Sequence, residues 1–554
     1  MLTAKPQPGI TAVLRPLIRV NDDLALRFAP PHGHQDCIDN KVFRQCRQQT
    51  RIDFRTNSID YLRIDLLQCC ATLFRLSLAA LKKKSLCSID NSHMEDRQSK
   101  RMKTVRCAVF GFYGNENLGD EAIIEAVIAN IRDSIPDAEL RCISVQPVDS
   151  EERHKVHADC IFLPSATYQS QRDRIAAQQS TATSNASPSE ASGWFNLLRN
   201  RLKSLPLMQP AVSLARHILQ LPSIIWRHLR FGRHVRDVIG RIDVLLISGS
   251  NQFLDNFGGP SAFPYTLWLW TLIAKRNKVP IIVMSVGAGP IFSKLSMWLI
   301  HRAIRRADYL SLRDIGSVEL LGLDLAATNV CPDLAYSHNS ETVRTALSRD
   351  FSLSGPPVIA INPMAVHARG YWYEVNDEKY NAYVRKLSKL VQHLEGAEND
   401  FIFIANQPHD ELVIRDVISA AVDSGSSRVA LESRFLKSTT VEEYLQNASK
   451  ADIIIATRFH GTVLALLLAR PVIGLCYYKK SAELLRDFRL GNHAFDIDDF
   501  CTEDIVNSIH ALTSEYEMSA RNIAKHVVEY REQLRCQYRN VIKTVLTQID
   551  NRRF

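Results

Sequence analysis

No run in this chain reaches the roughly 18 consecutive apolar residues that a membrane-spanning helix requires. The N-terminus also lacks the continuous apolar core of a secretory signal. The twelve cysteines are scattered, with only Cys69 and Cys70 adjacent and no CxxC pair. That excludes a disulfide framework and fits a reducing compartment in which most thiols are small apolar packers. No cluster of His, Cys and Asp has metal-ligand spacing, so no metal is expected. Zinc-finger spacing, an aromatic–basic RNA motif and a basic helix with heptads are all missing. A net charge of +9 is too mild to argue for nucleic acid. It does fit an anionic substrate or a membrane surface. The expected location is cytoplasmic, either free or at the inner face of the cell membrane.

At 554 residues, 46% hydrophobic and 23% charged, the chain has material for two or three domains with large cores. Residues 1–101 read unlike the rest: proline-rich pieces alternate with mixed charge. A poorly ordered extension is expected there, with Met102 as the natural opening of the first domain. Regular strand–helix alternation starts at Val105 and is broken by an insertion over 165–241. The first part of the insertion is rich in Ser, Thr and Gln. The second, 194–241, sets Trp194, Trp226 and many arginines against the single acid Asp237. It predicts a peripheral contact with anionic lipid, a groove for a lipid-linked or polyanionic acceptor, or helices packed on the domain with snorkelling arginines. A second alternation follows a polar crossing near 340 and ends in helices. This spacing predicts an α/β protein with two Rossmann-like doubly wound domains, 102–340 and 341–554, facing across a cleft.

The stretch 451–480 carries the sharpest signal. Residues 453–456 read as a buried strand, Thr457-Arg458-Phe459-His460-Gly461 as a joint, and 462–469 as a helix. The joint lies at the carboxyl end of a strand, where open α/β sheets place ligands. Its arginine can grip an anion and its imidazole can move a proton. The plain alternative is a core helix with an incidental Arg and His. A second joint, GFYGNENLGDEAI at 111–123, leads from a strand over 105–112 into a helix over 121–135. It is not GxGxxG, so no nucleotide cofactor follows from it. Gly119 allows a close approach to a ligand. Asp120 and Glu121 suit a helix start, or act on substrate hydroxyls. Asn117 is expected to bond the acceptor or the loop backbone. Further joints are VGAGP at 286–290, SLRD at 311–314 with Arg313, and YYKK at 477–480 with Lys479.

These joints, in this order, resemble the polysaccharide pyruvyl transferase family from about Val105 to Leu490. The resemblance implies a fold similar to the two-domain glycosyltransferases of the B type. It also implies transfer of the pyruvyl group of phosphoenolpyruvate to a sugar hydroxyl, with no cofactor beyond that donor. The acceptor is then a sugar, a nucleotide sugar or a lipid-linked glycan. The Arg-x-His segment is implied as the donor contact, here Arg458, Phe459 and His460, followed by Gly461. Arg313 and Lys479 are expected as further cations for the donor, unless Arg313 pairs with Asp314 or Asp333. His460 is expected as the proton carrier, with Glu121 and Asp120 acting on the acceptor. One departure stands out: Ser248-Gly249-Ser250-Asn251 replaces the family's usual glycine triplet. Two other readings remain, a nucleotide-sugar glycosyltransferase on the same fold and a non-catalytic binding protein.

Overall fold

The computed structural model describes residues 104–162, 226–256, 258–372, 374–397 and 399–553. The expectations for 1–101 and for most of the 165–241 insertion lie outside the described residues. Strand β1 (Arg106–Phe110) shows why a parallel sheet forms: its side chains are apolar on both faces. Cys107 and Val109 enter one core layer, while Ala108 and Phe110 enter the other. β2 (Glu139–Ser144), β3 (His157–Cys160), β4 (Val244–Ser248), β5 (Asn251–Phe253), β6 (Ile281–Ala288), β7 (Tyr309–Leu312) and β8 (Asn329–Val330) complete the first sheet. Its order is β3-β2-β1-β4-β6-β7-β8, with β5 beside β6, and every pairing is parallel.

The second sheet repeats the plan. β9 (Ile359–Asn362), β10 (Phe401–Ile404), β11 (Phe435–Leu436), β12 (Ile453–Ala456), β13 (Val472–Cys476) and β14 (Ala494–Asp496) lie in the order β11-β10-β9-β12-β13-β14. In each sheet the order reverses beside the first strand, between β1 and β4 and between β9 and β12. The carboxyl ends of those strands flank the crevice in which doubly wound sheets bind ligands. The expected fold class is the one found.

One local reading changes. The helix after the Arg-x-His joint starts earlier than expected, at Phe459, so His460 stands in its first turn.

The last helix, Tyr516–Arg553, returns from the second sheet to the first. Near its start the Tyr516 hydroxyl accepts from Arg349 Nη2 (2.6 Å) and Arg470 Nη1 (3.1 Å). Further along, Arg531 Nη1 donates to Tyr336 O (3.1 Å) and His338 O (2.6 Å). The buried Gln537 donates to Ser311 Oγ (2.5 Å) and accepts from Ser285 Oγ (3.2 Å). At that point the β6–β7 register shifts between Val283 and Val286, and Ser285 has φ 48°. Gln537 thus fills a break in the sheet.

Candidate functional site

The opening loop is held by its own side chains. Asn117 caps the helix Leu118–Ser134: Oδ1 accepts from Gly119 N (3.2 Å) and Nδ2 donates to Asp120 Oδ2 (2.7 Å). Glu121 is fully buried, with Oε1 accepting from Gly114 N (2.9 Å) and Oε2 from His154 Nε2 (2.6 Å). Both oxygens are spent on loop and helix, so Glu121 anchors the turn and is not presented to the cleft as a catalytic group. Asp120 points elsewhere, toward the second sheet. Leu118 N donates to Asn406 O (2.9 Å), stitching the loop to the end of β10.

His460 meets this loop from the other lobe. Its Nδ1 is 3.9 Å from Asp120 Oδ1 and its Nε2 is 3.5 Å from Asp333 Oδ2. The approach is so close that a side chain on Gly119 would collide with the His460 Cβ. Asp333 is itself gripped by Arg313, whose Nη1 donates at 2.9 Å while Nη2 donates to Asn251 Oδ1 at 2.8 Å. Arg313 lies over the Phe459 ring at 4.2 Å. Arg313 thus pairs with Asp333, and its Nε also lies 3.6 Å from Asp314 Oδ2. Burial disfavours the Asp333 anion, but His460 and Arg313 outweigh it and hold its carboxyl well below the usual range. Asp120 shifts the other way: burial raises it, and His460 and Ser250 only partly offset that. The imidazole therefore stands between two carboxylates of unequal acidity.

The cations are arranged differently from expectation. Arg458 is buried and clamps the buried Asp410 with two donors, Nε at 2.5 Å and Nη2 at 2.7 Å, and Nη2 also donates to Tyr371 Oη at 3.0 Å. Burial pushes the Asp410 carboxyl up and the Arg458 clamp pulls it back. Arg458 thus has a resident counter-ion. Lys479 is exposed at the start of its helix. Its neighbour Lys480 is the lysine that crosses the cleft, donating to Ala288 O and to Ser317 Oγ (3.0 Å), with Asp314 Oδ2 at 3.5 Å. Burial first, then Arg313, lowers the Lys480 pKa to about 8.

Gly461 packs on Asn362, where a side chain would strike the Asn362 carboxamide. The buried Asn362 Oδ1 and Gln407 Nε2, at the ends of β9 and beyond β10, have no hydrogen-bond partner. The Ser248–Asn251 departure is folded into the site: Tyr113 Oη lies 2.6 Å from Ser248 Oγ, and Asn251 holds Arg313. Asp410 and Lys480 escape the sequence reading, while Asp333 enters it only as a possible partner of Arg313 and Asn251 only as part of the Ser248–Asn251 departure. Asp410 had a signal, an acid in the first turn of a Pro-led helix after a buried strand. Two surface cavities of about 480 and 470 Å³ lie elsewhere and share no residue with this cluster.

A family model described as polysaccharide pyruvyl transferase matches residues 117–478. The chain belongs to the polysaccharide pyruvyl transferase family. The matched span opens on Asn117 and closes on Tyr478, so it takes in Asp120, Arg313, Asp333, Arg458 and His460 and stops two residues short of Lys480. A curated relative, the amylovoran biosynthesis protein AmsJ of Erwinia amylovora, is 19% identical over 355 residues, covering 56% of this chain and 78% of that protein. Solved structures are more distant. The UDP-GlcNAc 2-epimerase of Neisseria meningitidis bound to UDP-GlcNAc is 11% identical, covering 80% of this chain and 100% of its own, with a TM-score of 0.42. Anabaena Alr3699/HepE in complex with UDP and glucose is 12% identical, covering 78% and 99%, also with a TM-score of 0.42. At those scores the strand order, not the likeness, defines the fold.

Proposed function

We propose that this family member transfers the pyruvyl group of phosphoenolpyruvate to two hydroxyls of a sugar, forming a pyruvate ketal on a polysaccharide precursor and releasing inorganic phosphate as the enol phosphate is replaced. The observation that carries the reading is the position of His460. It lies within the family-matched span, in a first helical turn at a carboxyl strand end, and it faces Asp120 and Asp333 of the opposite lobe. Ketal formation needs a proton at the methylene carbon of the enol and the loss of protons from sugar hydroxyls. An imidazole between two carboxylates serves both directions of that traffic. In this reading His460 delivers the proton, Asp333 orients the ring, and Asp120, whose carboxyl is raised by burial, takes the hydroxyl proton.

The donor is a carboxylate plus a phosphate, and Arg313 and Lys480 flank the cleft beside His460 to receive them. Both already hold carboxylates, so the donor anion enters by exchanging with those partners. Arg458 acts one layer back: through Asp410 and Tyr371 it fixes the joint from which His460 projects. No metal or prosthetic group has a part in the scheme.

The test is phosphate release from phosphoenolpyruvate by the full chain, with and without a panel of sugar, nucleotide-sugar and lipid-linked acceptors, beside His460→Ala. Acceptor-dependent release that the variant abolishes is the expected result. Consumption of a nucleotide sugar in place of phosphoenolpyruvate would move the protein to the glycosyltransferases.

A further inference from the structure

Between Asp255 and Asp308 the sequence contains no acidic residue, yet it carries Lys275, Arg276, Lys278, Lys294, Arg302, Arg305 and Arg306. Two helices of this stretch, Phe263–Arg276 and Lys294–Ile304, pack on one another against the first sheet. The second buries Ser296, Leu299, Ile300, Ala303 and Ile304. Its opposite stripe is exposed and divides into two parts. Phe292, Leu295 and Trp298 are 70%, 40% and 48% exposed, and Arg302 and Arg305 follow them on the solvent side. The Arg302 guanidinium lies 5.2 Å over the Trp298 ring. Burial, then Arg302 and Arg276, lower the Arg306 pKa, and its Nη1 donates to a backbone carbonyl, Arg302 O (2.5 Å). Lys275 is the exception, paired with Asp308 at 2.7 Å.

The apolar tip is rigidly presented. Asp255 is buried and accepts from Phe292 N (2.8 Å) and Ser293 N (2.9 Å), fixing the turn that projects Phe292. Gly289 N donates to Phe253 O (2.9 Å) and Asp255 N to Pro290 O (3.2 Å). An exposed aromatic tip is costly in water unless something covers it. A Trp/Phe/Leu tip bordered by arginines that have no carboxylate partner among the described residues matches the headgroup layer of an anionic bilayer. We propose that this face docks on an anionic lipid surface, with Phe292, Leu295 and Trp298 entering the headgroup layer and Arg302 and Arg305 meeting its negative charge. The turn begins at Ala288, which accepts from Lys480 at the cleft, so docking holds the cleft mouth at the bilayer. That last point rests on the proposed function; the docking itself does not.

The experiment is flotation of the full chain with vesicles of phosphatidylcholine, with and without phosphatidylserine. The comparison set is wild type, Phe292→Ser with Trp298→Ser, and Arg302→Ser with Arg305→Ser. Wild type is expected to float only with the anionic vesicles and to lose binding as salt rises. Each double variant is expected to bind them about tenfold more weakly or worse, at unchanged Tm. Three results would overturn the proposal: no flotation of wild type, equal flotation of all three proteins, or a light-scattering mass that halves in Phe292→Ser with Trp298→Ser while vesicle binding persists. The second result would place any membrane contact in another segment, and the third would make the face a contact between two copies.

Discussion

His460 Nε2 and Arg313 Nη1 converge on the same oxygen of Asp333, from 3.5 and 2.9 Å. A single buried carboxylate thereby orients the imidazole of one lobe and a guanidinium of the other. If His460 carries the proton, His460→Ala costs about 10²–10⁴-fold in kcat, the usual worth of positioned acid–base help. Steady-state phosphate release measures it. A variant with near-normal turnover removes His460 from the chemistry.

Arg458 and Asp410 form a buried pair, so breaking it is expected to destabilise the fold by about 3–5 kcal/mol. Arg458→Ala should then lower Tm as well as activity. Replacing both partners, Arg458→Met with Asp410→Leu, should recover most of the stability. Urea denaturation of the three proteins separates the cases. Recovery of Tm without activity assigns the arginine to the site; recovery of both leaves it a structural brace.

Gly119 stands where a methyl group would strike His460. Gly119→Ala is expected to displace the imidazole and lower kcat by about 10²-fold, the cost of a misplacement near one ångström. The helix should remain intact, because Asn117 still caps it. Circular dichroism beside kinetics checks the pair of expectations, and an active Gly119→Ala enzyme would deny the tight fit.

Lys480 gives a pH dependence with a definite sign. Its folded pKa is lowered to about 8 by burial and by Arg313, against an unfolded value near 10.4. Between those values the unfolded chain holds a proton that the folded chain has released, so this group makes stability rise with pH. Its charge penalises folding below about pH 8, and the penalty fades toward about pH 10. Relative to Lys480→Met, wild type should therefore gain Tm across that window. A difference that stays flat with pH would place the lysine in a wetter setting.

The joints were legible because parallel sheets write their strands as apolar runs and put their ligands where those runs end. Arg458, His460, Arg313 and Asp120 all stand in the joints that follow such strand ends. The acid that neutralises Arg313 is legible as one of two candidates, because Asp333 lies only 20 residues on, at another strand end. The acid that neutralises Arg458 is not: Asp410 lies 48 residues away in sequence. Glu121 misled for the same reason: its partner His154 sits 33 residues on. Lys479 and Lys480 differ by one position, and on a helix one position is about 100° of rotation, enough to put one side chain in solvent and the other in the cleft.

Gln537 completes a seam in the first sheet from 252 residues downstream of Ser285. During synthesis, β6 and β7 emerge with that seam open, and it stays open until the last helix has cleared the ribosome. The lobe made first is completed by a helix made after the second sheet. Although there are two sheets, birth order does not make them two independent folding events.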